Sequence, residues 1–129
     1  MINLPIYRAF SETFDKYILG VPYFSDGRYY MLVDDCNKNN NIGSGSYPID
    51  KSTLSIHFLD MLDSQGNKIF ASLQEDGKGG DVCSVNDYID SGLKGVAIYQ
   101  NYGFRIDRKG KAMGISLSST DIKIVGIQQ

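Results

Sequence analysis

The chain has 129 residues, 42% hydrophobic and 22% charged, with a formal charge of −2, the balance of one globular domain over 1–129 rather than of a disordered chain. No apolar run approaches the roughly 18 residues of a membrane span, and Met1-Ile2-Asn3-Leu4-Pro5 lacks the charged and apolar regions of a signal peptide, so a cytoplasmic protein with no membrane contact is expected. Mild acidity disfavours partners held by bulk charge, nucleic acid above all.

In chain order, Ile6-Tyr7-Arg8-Ala9-Phe10 alternates large and polar side chains, Ser11-Glu12-Thr13-Phe14-Asp15 interrupts, and Lys16–Gly20 resumes, which predicts a first hairpin over 5–20. Pro22 and the turn Ser25-Asp26-Gly27 lead into a strand over Arg28–Val33. Residues 34–48 are polar and rich in Asn, Gly and Ser, a composition that predicts a mobile loop. A strand over Thr53–Phe58, a turn at Asp63-Ser64-Gln65-Gly66-Asn67 and a return strand over Lys68–Leu73 form the next hairpin. Asp76-Gly77-Lys78-Gly79-Gly80-Asp81 is expected to be a flexible connector. Short apolar runs at 82–89, 93–100, 102–107 and 111–117, separated by turn residues, follow at the spacing of a sheet or barrel, and Asp121–Ile127 is the closing strand. Composition agrees: 38 residues are Ile, Val, Tyr, Phe or Thr, against 24 Ala, Leu, Met, Glu or Gln, so the fold is mainly β, about ten short strands with little helix.

The chemistry-bearing residues are few. His57, the one histidine, sits in a predicted strand with its side chain opposite those of Ile56 and Phe58; with no nucleophile signature beside it, a surface or barrel-facing imidazole is expected rather than a general base. Asp60, Asp63, Asp76 and Asp81 bracket one hairpin, but their spacing is not that of a calcium loop, and turn formation explains them. Gly77-Lys78-Gly79-Gly80 lacks the Lys-Ser/Thr ending of a phosphate loop. Cys36 and Cys83 with a single His are too few for zinc, and free thiols are expected. No enzyme activity, metal or cofactor is expected.

Arg105, Arg108, Lys109 and Lys111 form the one compact basic cluster, at the turn Arg108-Lys109-Gly110-Lys111, with Tyr99 and Tyr102 close by. Such a turn can hold phosphates and stack bases, or simply keep a sheet edge solvated. Abundant tyrosines, including Tyr29-Tyr30 and Tyr99 to Tyr102, equally suit a protein-binding surface or a small β core.

Three stretches together resemble the YopX family of small phage and prophage proteins: Tyr7-Arg8-Ala9-Phe10 with the later Tyr17-Ile18; Phe58-Leu59-Asp60-Met61-Leu62-Asp63-Ser64-Gln65-Gly66-Asn67-Lys68-Ile69-Phe70 continuing to Gly80-Asp81-Val82; and Ile124-Val125-Gly126-Ile127. Leu59-Asp60 stands where the family has Thr-Gly, and about nine residues separate Phe70 from Gly80 where the family runs straight on. The resemblance implies a β-rich fold with a small barrel in the C-terminal half and a phage or prophage origin, and it carries over no catalytic residue. Gly80-Asp81-Val82 with Gly95-Val96 is similar to the start of an SH3-like barrel, in which Val enters the core. The expected role is binding a host or phage protein in the bacterial cytoplasm, homo-oligomers being compatible with it; the alternative is a nucleic-acid-binding module using the 105–111 turn.

Overall fold

The computed structural model describes residues 5–33, 42–57, 61–86, 93–100, 103–108, 111–113 and 121–129. They form eleven strands: β1 (Ile6–Ser11), β2 (Lys16–Ser25), β3 (Arg28–Val33), β4 (Gly45–Pro48), β5 (Asp50–His57), β6 (Ala71–Ser72), β7 (Asp81–Asn86), β8 (Leu93–Gln100), β9 (Gly103–Arg108), β10 (Lys111–Met113) and β11 (Asp121–Ile127). No helix occurs among the described residues. The strands join one curled, half-barrel sheet in the order β10-β9-β8-β6-β5-β1-β2-β3-β4, with β7 pairing β8 and β11 pairing β7.

The first predicted hairpin is present, with Tyr7 opposite Gly20 and Phe10 opposite Tyr17. Asp26 and Gly27 join β2 to β3 with φ of 49° and 80°, the doubly left-handed turn whose twist matches that of the strands it connects. Residues 45–48, expected to lie in a mobile loop, instead form β4 against β3. Tyr47 supplies the reason: its ring meets Phe14 edge-on at 4.8 Å and its hydroxyl donates to the Gly43 carbonyl at 2.8 Å, so one aromatic anchors an otherwise polar stretch. Residues 34–41 of that predicted loop lie outside the described residues.

The return strand expected over Lys68–Leu73 is reduced to Ala71–Ser72, preceded by a single bridge between Leu62 and Lys68. Side-chain and turn acceptors take the ladder's place. The Phe70 N–H donates to the Asp81 carboxylate at 2.8 Å and the Ile69 N–H to the Met61 carbonyl at 2.8 Å. The 76–81 connector is also unlike its expectation. Gly77, Gly79 and Gly80 are buried, Gly79 and Gly80 clasp Gln128 through two backbone bonds of 2.9 Å, and the Ser72 hydroxyl donates to the Lys78 carbonyl at 2.8 Å. Glycines here allow contact with neighbouring backbone: a Cβ on Gly79 would overlap the Thr53 carbonyl, and one on Gly80 the Ala97 carbonyl. In the SH3-like comparison Val82 was to enter the core, but it is half-buried and Cys83 takes the core position.

Two hydrophobic clusters divide along the chain. Ala9, Ile18, Met31 and Val33 make the first, packed by Tyr7, Phe14, Tyr47 and Leu54 among others. Met61, Ile69, Ala71, Cys83, Ala97, Ile106 and Ile122 make the second. Arg8 joins the halves. Its Nη2 donates to Asp81 Oδ1 and to the Gly79 carbonyl, both at 2.9 Å, and its guanidinium carbon lies 4.6 Å from the Phe70 ring centroid and 5.4 Å from that of Tyr17.

Candidate interaction surface

β2 is ten residues long, and its second half runs past the first cluster. Val21-Pro22-Tyr23-Phe24 is apolar without alternation, so both faces of the β2–β3 ribbon carry apolar side chains there. On the face turned away from the first cluster, Val21 lies opposite Leu32 and Tyr23 opposite Tyr30. Val21 is 55%, Tyr23 39% and Leu32 49% exposed, and the two tyrosine rings stack at 5.6 Å with 23° between their planes. Pro48 of β4 sits opposite Tyr30 and Ser46 opposite Leu32, extending the same face by one strand. This block of Val21, Tyr23, Tyr30, Leu32 and Pro48 contains no charge. On the other face Phe24, 61% exposed, meets Tyr29 at 5.1 Å, and Lys51 Nζ stands 5.0 Å over the Tyr29 ring.

A pocket of about 60 Å³ opens at the C-terminal end of β4, lined by Glu12, Arg28, Pro48 and Ile49. It sets one carboxylate and one guanidinium at the rim of an apolar wall, beside the hairpin that bears the exposed face.

The basic cluster lies at the opposite end of the sheet order, where β10 is the edge. Arg108 pairs with Lys111 across the β9–β10 hairpin and Arg105 with Ile98 of β8, so three of the four cationic positions share one ribbon. Lys109 and Tyr102 lie outside the described residues. Tyr99 pairs with Phe104 and is half-buried against the second cluster, which gives it a packing role.

His57 is neither a surface group nor free. It is 4% exposed, its Nδ1 lies 3.0 Å from the Ile69 carbonyl oxygen, and its ring packs at 5.6 Å from Phe70. Burial pulls its pKa below the usual value, against the opposing effect of the Ile69 carbonyl. Asp63 holds its turn by accepting from the Gln65 N–H at 2.9 Å, the Asn67 N–H at 2.7 Å and Asn67 Nδ2 at 3.0 Å. Burial pushes its pKa up, but these donors outweigh it and the net shift is downward. Asp76 Oδ1 accepts from the Lys78 N–H at 2.9 Å in a local turn. Asp81, expected in a turn, is instead 2% exposed and bound to Arg8 and Phe70; Asp60 lies outside the described residues. Burial, followed by the Asp81 and Asp63 carboxylates, raises the Cys83 thiol pKa to about 12, so it remains protonated. No group of three or more His, Cys, Asp or Glu converges among the described residues.

The exposed apolar face was only partly visible in the sequence. Tyr29-Tyr30 stands out there, whereas Val21 and Leu32 read as ordinary strand residues. The available signal was the unbroken apolar run Val21–Phe24 in an antiparallel hairpin, where one face should be polar. Comparison with known proteins returned no match, whether to a family model, a curated protein or a solved structure.

Proposed function

We propose that this chain is a non-enzymatic protein of phage or prophage origin that works in the bacterial cytoplasm by binding a host or phage protein, and that the outer face of β2–β3 is its contact surface. The observation that carries this is the contiguous, uncharged block of Val21, Tyr23, Tyr30 and Leu32, with Val21 and Leu32 about half exposed across one rung of the ladder. Apolar, tyrosine-rich patches of this kind are what the centres of protein interfaces use. A nucleic-acid strand needs cations to replace its counterions, and this block has none. The YopX-like motifs support the phage origin and are neutral about the surface, because Arg8, Asp63, Gly80 and Asp81 act as joints of the fold.

The test compares tagged protein with a Val21→Glu/Leu32→Lys variant in affinity capture from lysate of the bacterial host, with and without nuclease. The exchange sets an opposite-charge pair on one rung, which leaves strand pairing favourable while removing the apolar contact. The expected result is a protein captured by the unaltered chain, resistant to nuclease, and reduced about tenfold or more with the variant. Capture that ignores the variant refutes the surface. Capture that disappears with nuclease refutes the protein-binding role and moves the function to the ribbon of Arg105, Arg108 and Lys111.

A further inference from the structure

The outer face of β2–β3 runs on past its apolar block. Arg28, Tyr30 and Leu32 are alternate residues of β3, so their side chains share one face, and Arg28 lies about 7 Å along the strand from Tyr30. Pro48 sits opposite Tyr30 on that face. It also lines the pocket of about 60 Å³ together with Arg28, Ile49 and Glu12, the residue that follows β1. The pocket is thus the end of the exposed face. Glu12 and Arg28 are both exposed, and neither forms an ion pair with the other or with any other described residue.

Volume and charge restrict what the pocket can take. About 60 Å³ is room for roughly four waters, hence for a group of about four non-hydrogen atoms. A nucleotide, a sugar ring or an aromatic ring is too large. A carboxylate bound to Arg28 would also face Glu12, and an ammonium bound to Glu12 would also face Arg28. A primary carboxamide avoids both conflicts. Its oxygen accepts from the guanidinium and its N–H₂ donates to the carboxylate, each a charge-assisted hydrogen bond. With the methylene that carries it, which suits the apolar wall of Pro48 and Ile49, it has the size the pocket allows. The apolar block beside it is small as well. Given the exposures above, Val21, Tyr23, Tyr30 and Leu32 leave on the order of 300 Å² open. A standard interface takes about 800 Å² from each partner, so a short linear segment fits this face better than a second folded chain.

We propose that the Glu12–Arg28 pocket takes the side-chain amide of an Asn or Gln in the partner, carried on an extended segment whose apolar side chains, two positions away, cover Tyr30 and Tyr23. This rests on the protein-binding role of the outer face and names the partner residue that anchors there.

A phage-displayed library of short linear peptides panned on the intact protein supplies the probe. The expected outcome is enrichment of Asn or Gln two positions from an apolar residue, with about tenfold weaker binding when that amide residue is replaced by alanine. The preference should follow the charge of the pocket. Glu12→Gln should shift enrichment to Asp or Glu, and Arg28→Gln should shift it to Lys or Arg. If either variant loses structure on melting, replacing the peptide's amide residue by Glu or Lys reads the same contact on the unaltered protein, and each should weaken binding about tenfold. No enriched peptide, or enrichment without Asn or Gln, overturns the proposal. Peptides or a lysate partner lost with Val21→Glu/Leu32→Lys but bound alike by Glu12→Gln and Arg28→Gln refute the amide pocket and leave the protein-binding surface standing. Binding that ignores all of these variants refutes both.

Discussion

Replacing Asp81 with asparagine changes almost no volume and removes one charge. Each carboxylate oxygen has its own donor: Oδ1 accepts from Arg8 Nη2 at 2.9 Å and Oδ2 from the Phe70 N–H at 2.8 Å. An amide offers one acceptor and one N–H₂, so whichever way it turns, a donor faces a donor. The Arg8 side chain is 11% and that of Asp81 3% exposed, and Arg8 Nε has no hydrogen-bond partner among the described residues. With the amide turned so that its oxygen serves Phe70, the guanidinium keeps the Gly79 carbonyl as its one acceptor among the described residues; in either orientation its charge loses the carboxylate that compensates it. Removing one partner of a buried pair in this way costs about 3–5 kcal/mol. For a chain of this length that is a fall of about 10–20 °C in melting midpoint, measured by circular dichroism. Arg8→Met added to Asp81→Asn removes the stranded cation and lets the amide oxygen serve Phe70. The double variant should therefore be no less stable than Asp81→Asn alone, a strong departure from additivity. A loss under about 1 kcal/mol for Asp81→Asn, or simple additivity in the pair, would refute a joint between the halves at Arg8 and Asp81.

Gly79→Ala should cost about 3 kcal/mol or more, because φ is +84° and a Cβ would strike the Thr53 carbonyl, whereas Gly27→Ala, at φ +80° with open space around it, should cost about 1 kcal/mol; urea titration of both separates steric from conformational effects. His57 has a folded-state pKa below its unfolded value of 6.5, so the unfolded chain binds the proton more readily. Stability is then unaffected above that pH and declines as pH falls from 6.5 towards the folded pKa, and His57→Gln should flatten that part of a melting-temperature profile. Asp63 is shifted in the same direction and stabilises above its ordinary 3.8; its contribution is lost as pH falls through the lower folded value. With the Cys83 thiol raised to about 12 and buried, a Cys36→Ser variant should react with a disulfide reagent at pH 8 only as fast as it unfolds; rapid labelling of the native protein would show the thiol to be accessible.

Local patterns announced most of the strands. Alternation in Ile6–Phe10, the Asp26-Gly27 turn and the closing isoleucines Ile122, Ile124 and Ile127 are each short-range signals, and the structure places strands there. What they could not announce depends on residues distant in sequence. Arg8 and Asp81 are 73 positions apart, and Asp81 looks like any Asp after a Gly-Gly turn until β1 is brought beside it. The glycines at 77, 79 and 80 look flexible in isolation, since nothing nearby in sequence indicates that the Thr53 and Ala97 carbonyls will pack on them. β4 was missed because polar composition masked one anchoring tyrosine, Tyr47. At the candidate surface the tyrosines were visible, but their cross-strand partners were not, since pairing Val21 with Leu32 requires the hairpin register.

The two hydrophobic clusters also bear on how the chain comes off the ribosome. Every residue of the first cluster and its packing partners falls between Tyr7 and Leu54, and every residue of the second between Met61 and Ile124. The first five strands can thus pair and bury their apolar face while the second half is still being synthesised, with Arg8 solvated until Asp81 emerges. Domains fold as they are made where their contacts lie within the emerged length. Here that gives a nascent chain whose first half is already a sheet, with the β1 side that will receive Phe70, Gly79 and Asp81 left open. A cut between His57 and Met61 would divide the protein between its two cores, and the fragments would carry complementary halves of one buried ion pair by which to recognise each other.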